Sequence, residues 1–171
     1  AKNLGSIVGG PLAAAAGSVG FSMQQAVSSF TATGDGLDKM SQRVGVGVER
    51  LQEWGYAAVQ AGASQETLED ALKDFGKHMT EIATGMDTTS KAATLFDALG
   101  IKMKDAAGNM RSVEDVFRDF ADAIQRNEDP TLRASMAMAV FGEGGRKLLP
   151  MLTAGAAGLD DMSAEAHRLG I

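Results

Sequence analysis

The sequence contains no cysteine, which excludes disulfide bonds and thiolate-ligated metal sites. It has only two histidines, His78 and His167, and they lie far apart and form no His-x-x-x-His pair. A zinc site built on such a pair is therefore not encoded. Aromatic residues make up 5% of the chain. We therefore expect a core of small and flexible side chains, mainly alanine, glycine and methionine.

Basic residues are too few to balance the acidic ones, and the net charge is −6 over 171 residues. Binding to nucleic acid requires lysine and arginine to neutralise phosphates, so this charge argues against general affinity for nucleic acid, although it leaves room for a local basic contact. No specific nucleic acid is expected as a partner. The length suits one or two compact domains. Because the chain begins with Ala1 and not with methionine, we expect a processed protein or a fragment of a longer one.

Residues 1–34 differ in composition from the rest, because no charge occurs between Lys2 and Asp35. About 20 apolar residues could span a bilayer, but Gly and Ala drive insertion weakly and Pro11 interrupts the run. Small residues recur at every fourth position, which allows a helix to pack closely against another helix. These residues are Gly5, Gly9, Ala13 and Gly17. The segment 1–34 is therefore interpreted as an apolar Gly/Ala-rich helix.

The remaining residues, 35–171, have the periodicity of several short helices joined by glycine-containing turns. Helix starts are predicted at Ser64, at Ser112 and at Asp129-Pro130, where capping side chains precede apolar periodic segments. In the clearest helix, between Ser64 and Gly85, the apolar residues step by four and three positions. They form a narrow, coiled-coil-like seam for a partner helix. The seam consists of Leu68, Leu72, Phe75, Met79 and Ile82.

Strand is expected in one region only, near residues 101–111, where apolar and polar residues alternate around a turn cluster. Either a small β-hairpin or an irregular loop fits this pattern. No alternation of strands with helices indicates a parallel sheet. The predicted fold class is therefore all-α, with a Gly/Ala-rich N-terminal helix followed by a multi-helix bundle of short helices.

Catalytic, cofactor-binding and metal-binding residues are not identified from the sequence. The segment Gly142–Lys147 superficially resembles a phosphate-binding loop, but Leu148 stands where Ser or Thr is required and no buried strand precedes it. A turn between helices is the better interpretation. The carboxylates lie at helix starts and on polar faces, where solvation explains them, and both histidines are expected at the surface. Trp54 is expected to anchor the core.

Two stretches of the chain resemble a segment found repeatedly in tail tape-measure proteins of long-tailed phages and prophages. The first stretch, Ser41 to Ser64, contains Gly45-Val46, Leu51 and Tyr56-Ala57-Ala58, with Trp54 where an aliphatic residue is more usual. The second stretch, Leu99 to Gly170, is the more specific one, because spaced Gly, Phe and Pro positions agree in order. Its matching positions are Leu99-Gly100-Ile101, Asp105, Gly108, Arg111, Phe141-Gly142, Gly145 and Leu148-Leu149-Pro150-Met151-Leu152.

The resemblance implies a non-catalytic, structural role, with residues 35–171 as a helical tape-measure module. Tape-measure proteins set the length of the tail, and tail-tube subunits polymerise around them. The implied partners are the tail-tube protein, tail assembly chaperones, tail-tip or baseplate proteins and further copies of the chain. The implied locations are the lumen of the virion tail and, during assembly, the host cytoplasm. Release at infection would add contact with the host envelope.

Two other classes of function stay open at the level of sequence. A membrane-active helical module, similar to a toxin or a fusion protein, would act through residues 4–23. An enzyme such as a helical muramidase would need a glutamate in a preformed cleft, and no glutamate has sequence surroundings that identify it. Insertion into liposomes and a cell-wall turnover assay distinguish these two classes from a structural protein.

Overall fold

The computed structural model describes residues 34–171, and these residues form a helical bundle. The helices in chain order are α1 Gly34–Val44, α2 Val48–Gln60, α3 Gln65–Ala83, α4 Lys91–Leu99, α5 Val113–Arg126, α6 Pro130–Phe141, α7 Gly145–Leu152 and α8 Gly155–Arg168. A 3₁₀ turn, Gly142–Gly144, joins α6 to α7. The predicted all-α bundle is confirmed for this part of the chain. The helix predicted for the N-terminal segment falls on residues 1–33, outside the described residues.

Capping side chains determine where several helices begin. Ser64, Ser112 and Asp129 each accept hydrogen bonds from backbone N–H groups in the first turn of α3, α5 and α6, respectively. Such caps satisfy donors that have no partner within the helix. All three were predicted helix starts. Helix α4 begins at Lys91, because Asp87 first folds the chain into a turn and Ser90 then acts as the cap.

The loop between α4 and α5 begins at Gly100, which ends α4 with a φ of 69° that favours glycine. Beyond it, Lys104 and Met110 form an isolated antiparallel bridge. The Asp105 carboxylate accepts hydrogen bonds from the backbone N–H groups of Ala107 and Asn109, which fixes a tight turn. A strand requires several consecutive bridges, and only this one forms, so residues 34–171 contain no strand. Of the two alternatives for 101–111, the loop is the better description.

Six aromatic side chains of the described residues meet at the centre of the bundle. Trp54 stacks on Phe117 with ring centroids 4.3 Å apart, and Phe75 and Phe141 stack at 5.3 Å. Phe96 and Phe120 complete the cluster, and all six rings are at most 1% exposed. The expected core of small and flexible side chains is therefore wrong at its centre. Aromatic content is an average over the chain, whereas the fold collects these rings in one place.

Helix α3 lies in the middle of the bundle and packs against α1, α2, α4, α5, α6 and α7. Helix α8 packs mainly against α2 and α5 and also contacts α7. Two leucines near helix ends lie outside the core: Leu132 is 51% exposed and Leu169 is 58% exposed. Leu132 lies in the first turn of α6, and Leu169 follows the last residue of α8, so both lie beyond the packed part of their helix.

Candidate functional site

A buried carboxylate, Glu53, lies between α2 and α8 and is only 6% exposed. Its Oε2 accepts hydrogen bonds from Arg50 at 2.6 Å and from Ser163 at 2.9 Å. Its Oε1 lies 2.7 Å from Nε2 of His167. A buried carboxylate destabilises a fold unless it is paired and hydrogen-bonded. Partners from both helices satisfy Glu53, which therefore ties α8 to α2.

Glu49 lies one helical turn before Glu53 and extends the same polar cluster towards solvent. Its Oε1 is 4.0 Å from His167 Nε2, and its side chain is 81% exposed. On the other side of Glu53, the second guanidinium nitrogen of Arg50 contacts Glu114 of α5 at 2.7 Å. Two carboxylates, Glu53 and Glu114, contact the guanidinium of Arg50. With Glu49, the cluster holds three carboxylates and one arginine, which favours a cation.

A bidentate ion pair between Arg118 of α5 and Asp160 also holds α8 in place. Arg118 Nη2 donates to Asp160 Oδ2 at 2.7 Å, and Nη1 donates to the other carboxylate oxygen. The hydrogen bond from Arg118 lowers the pKa of Asp160, and the same bond raises the pKa of Arg118. The pair therefore favours the ionised forms of both groups.

The start of α8 is capped from another helix. Asp122 of α5 accepts a hydrogen bond from the backbone N–H of Ala156 at 2.7 Å. A carboxylate at this position also interacts favourably with the positive end of the helix. The buried residues of α8 are small or polar apart from Leu159. Polar contacts therefore account for much of the docking of α8, in contrast to the apolar docking of α3.

A second group of potential metal ligands, His78, Glu81 and Asp87, lies at the C-terminal end of α3. His78 is half-buried, and its Nδ1 has no hydrogen-bond partner. Asp87 is already engaged in the turn before α4, where the Ser90 hydroxyl donates to it and lowers its pKa. The prediction that both histidines lie at the surface is correct for His167, whose side chain is 52% exposed although it contacts the buried Glu53. The prediction is wrong for His78, which is half-buried.

The segment Gly142–Lys147 forms the turn from α6 to α7, as its structural interpretation predicted. It borders a cleft of about 500 Å³ that is also lined by α3. One basic side chain faces this cleft together with four acidic ones. The acidic residues are Glu66, Asp70, Asp74 and Glu143, and the basic residue is Lys147. Because these carboxylates would repel phosphate, the cleft opposes phosphate binding.

The positions that carry the family resemblance in this turn have structural explanations. Phe141 is 1% exposed in the aromatic cluster. Gly142 has a φ of 64°, and a Cβ there would lie 3.1 Å from an Asp74 oxygen. At Gly145 a Cβ would lie 2.6 Å from the carbonyl carbon of Ala137. The left-handed backbone conformation therefore favours glycine at 142, and the close packing of α7 on α6 requires glycine at 145.

The predicted interaction residues of α3 lie inside the bundle. Leu68, Leu72, Phe75 and Met79 are fully buried, and Ile82 is partly buried against the same core. The helices that cover this seam belong to the chain itself. The other predicted packing residues, Gly5, Gly9, Ala13 and Gly17, lie outside the described residues, as does the candidate membrane-active run 4–23. Within residues 34–171, no helix is long and apolar enough to cross a membrane.

Sequence reasoning missed Glu53 and its partners. The spacing Glu49-x-x-x-Glu53 could have indicated a polar cluster, because it places two carboxylates on one face of a helix. The neighbouring Trp54 indicated that this face lies close to the core. His167, however, is 114 positions further along the chain, so only the packing of α8 on α2 brings it to Glu53.

Comparisons of this chain with protein-family models, with curated proteins and with solved structures find no match. The residues and the geometry of the chain are therefore the basis for a functional proposal.

Proposed function

We propose that this chain is a segment of a phage tail tape-measure protein, with a structural role in tail assembly and no catalytic role. The observation that carries the proposal is the motif Phe141-Gly142-x-x-Gly145 followed by Leu148-Leu149-Pro150-Met151-Leu152. These residues resemble that family in their order and spacing. In this fold they build the turn from α6 to α7 and its packing, which supports a shared structural module.

The state of Glu53 supports a non-catalytic role. A muramidase needs a glutamic acid that faces a cleft and can protonate a glycosidic oxygen. Glu53 is buried, and both of its oxygens have partners within the chain. A cell-wall turnover assay should accordingly show no loss of turbidity with the purified chain.

The aromatic cluster refines the proposal. A protein that is only ever extended inside a tube gains nothing from six buried, mutually packed rings. In our proposal the bundle is therefore the form that exists before the tube polymerises. The tail-tube subunits, tail chaperones and tail-tip proteins that the resemblance implies would then meet a folded module, and the module would open when the tube grows around it.

The decisive experiment changes the length of the chain in the phage or prophage that encodes it. Residues 34–171 would span roughly 200 Å as one continuous helix, at about 1.5 Å per residue. An in-frame duplication of this segment should lengthen the tails of the resulting particles by up to that amount, as measured by electron microscopy. A deletion should shorten them correspondingly.

A matched control separates length from sequence. An insertion of equal length, built from repeats of Glu-Ala-Ala-Ala-Lys, is largely helical and has no relation to this chain. If tails lengthen equally with either insertion, the segment acts as a ruler. Tails of unchanged length after both the duplication and the deletion would show that the chain does not measure the tail.

The alternative of a membrane-active module rests on the uncharged run 4–23. Its test is dye release from anionic liposomes by a peptide of residues 1–34 and by the whole chain. Release by both, together with unchanged tail length in the duplication experiment, would favour this alternative over the tape measure.

A further inference from the structure

The three side chains Glu49, Glu53 and His167 each offer one atom that can bind a metal, and these atoms all lie within 4.8 Å of one another. We propose that they bind a divalent transition-metal ion such as Zn²⁺ and that the ion fastens α8 to α2. This proposal stands on the geometry of the cluster and does not depend on the role of the chain in a phage tail.

The ligand set suits such an ion. Zinc is bound in proteins by histidine nitrogens and carboxylate oxygens at about 2.1 Å, which in a tetrahedral site puts neighbouring ligand atoms about 3.4 Å apart. His167 Nε2 lies 2.7 Å from Glu53 Oε1 and 4.0 Å from Glu49 Oε1. Side-chain shifts of less than about 1 Å bring both separations to the required value. Water would complete the coordination on the exposed side.

Glu53 is already oriented for this role. Arg50 and Ser163 hold its Oε2, so that its Oε1 faces His167. Hydrogen bonds of this kind, made by residues behind the ligands, fix the direction of metal ligands in proteins. Glu114 balances the charge of Arg50, and the net negative charge that remains favours a cation. The exposed Glu49 and His167 give the ion a route from solvent.

The cluster of His78, Glu81 and Asp87 is the competing site within the described residues. Both Asp87 oxygens accept hydrogen bonds from Ser90, and one also accepts from the backbone of Thr89. Binding a metal there would break the turn that starts α4. At Glu53 an ion would replace one hydrogen bond, between His167 Nε2 and Glu53 Oε1, while the hydrogen bonds to Oε2 remain in place.

The test is a titration of the whole chain with ZnCl₂ in a buffer that does not chelate metals, followed by isothermal calorimetry. We expect saturable binding of one equivalent. His167→Ala and Glu49→Gln should each weaken binding at least tenfold, while His78→Ala, the matched control, should leave the affinity unchanged. Glu49 and His167 are exposed, and circular dichroism of both variants checks that the fold is retained.

Hydrogen exchange tests the structural part of the proposal. Zinc should slow exchange in residues 155–168, and an excess of chelator should restore the original rate. Three results would overturn the proposal: no saturable binding by the unaltered chain, equal affinity after His167→Ala, or loss of binding after His78→Ala alone. Binding without slower exchange in α8 would overturn the claim that the ion fastens this helix.

Discussion

Replacing Gly145 by alanine tests the close approach of α6 and α7, on which the motif interpretation depends. Gly145 is the first residue of α7, and its own φ of −57° is ordinary for any residue. The added methyl group would lie 2.6 Å from the carbonyl carbon of Ala137 and closer still to its oxygen. The effect of this substitution is therefore steric and not a matter of backbone strain.

The magnitude follows from the atoms involved. Non-bonded carbon atoms prefer separations of about 3.5–4.0 Å, and the atoms of Ala137 belong to the backbone of α6, which cannot rotate away as a side chain can. Overpacking of this kind typically destabilises a protein by about 1–3 kcal/mol. In a chain of this size, each kcal/mol lowers Tm by about 2–4 °C. We therefore expect Gly145→Ala to lower Tm by roughly 2–12 °C.

Gly76→Ala is the matched control, with the same chemical change and the opposite expected sign. Gly76 lies in the interior of α3, and a Cβ there meets nothing within 4 Å. Alanine should therefore stabilise the bundle by about 0.5–1 kcal/mol. Urea unfolding followed by far-UV circular dichroism measures both variants. If Gly145→Ala unfolds at the same urea concentration as the unaltered chain or at a higher one, α7 does not approach the backbone of α6 as closely as the structure shows.

Three further substitutions test the core and the docking of α8. Phe75→Ala removes a ring that contacts four others, so the free energy of unfolding measured in urea should fall by about 3–5 kcal/mol. A decrease of less than about 1 kcal/mol would contradict the aromatic cluster. Asp122→Ala removes the side chain that caps α8, so it should lower the free energy of unfolding by about 0.5–2 kcal/mol. It should also speed hydrogen exchange at the backbone N–H of Ala156, and an unchanged exchange rate there would rule out the cap. Asp160→Asn should lower stability at neutral pH by at most about 1 kcal/mol, because the carboxylate is half exposed and its ion pair with Arg118 is screened by solvent. The pKa of Asp160 is lowered from its ordinary value of 3.8. The difference in unfolding free energy between Asp160→Asn and the unaltered chain should therefore be present above pH 3.8 and disappear as the pH falls through the lowered pKa. If that difference does not change with pH, the ion pair is not its cause.

Helix starts were predictable because their causes are local. Ser64, Ser112 and Asp129 act through backbone groups two or three residues away, so a short window of sequence contains all the information. The turn at Gly100 is local in the same sense. The sequence could not decide between a β-hairpin and a loop at residues 101–111, because the two differ only in how far backbone pairing between strands continues beyond one bridge.

The sequence by itself determined the fold class, most helix boundaries and the apolar seam on α3, since each depends on residues within a few turns of one another. Only the tertiary structure decided what covers that seam and that six aromatic rings of the described residues meet in one cluster. It also decided that a buried Glu53 faces His167, 114 positions away. Local patterns set the faces that each helix presents, whereas the pairing of those faces depends on packing the whole bundle at once.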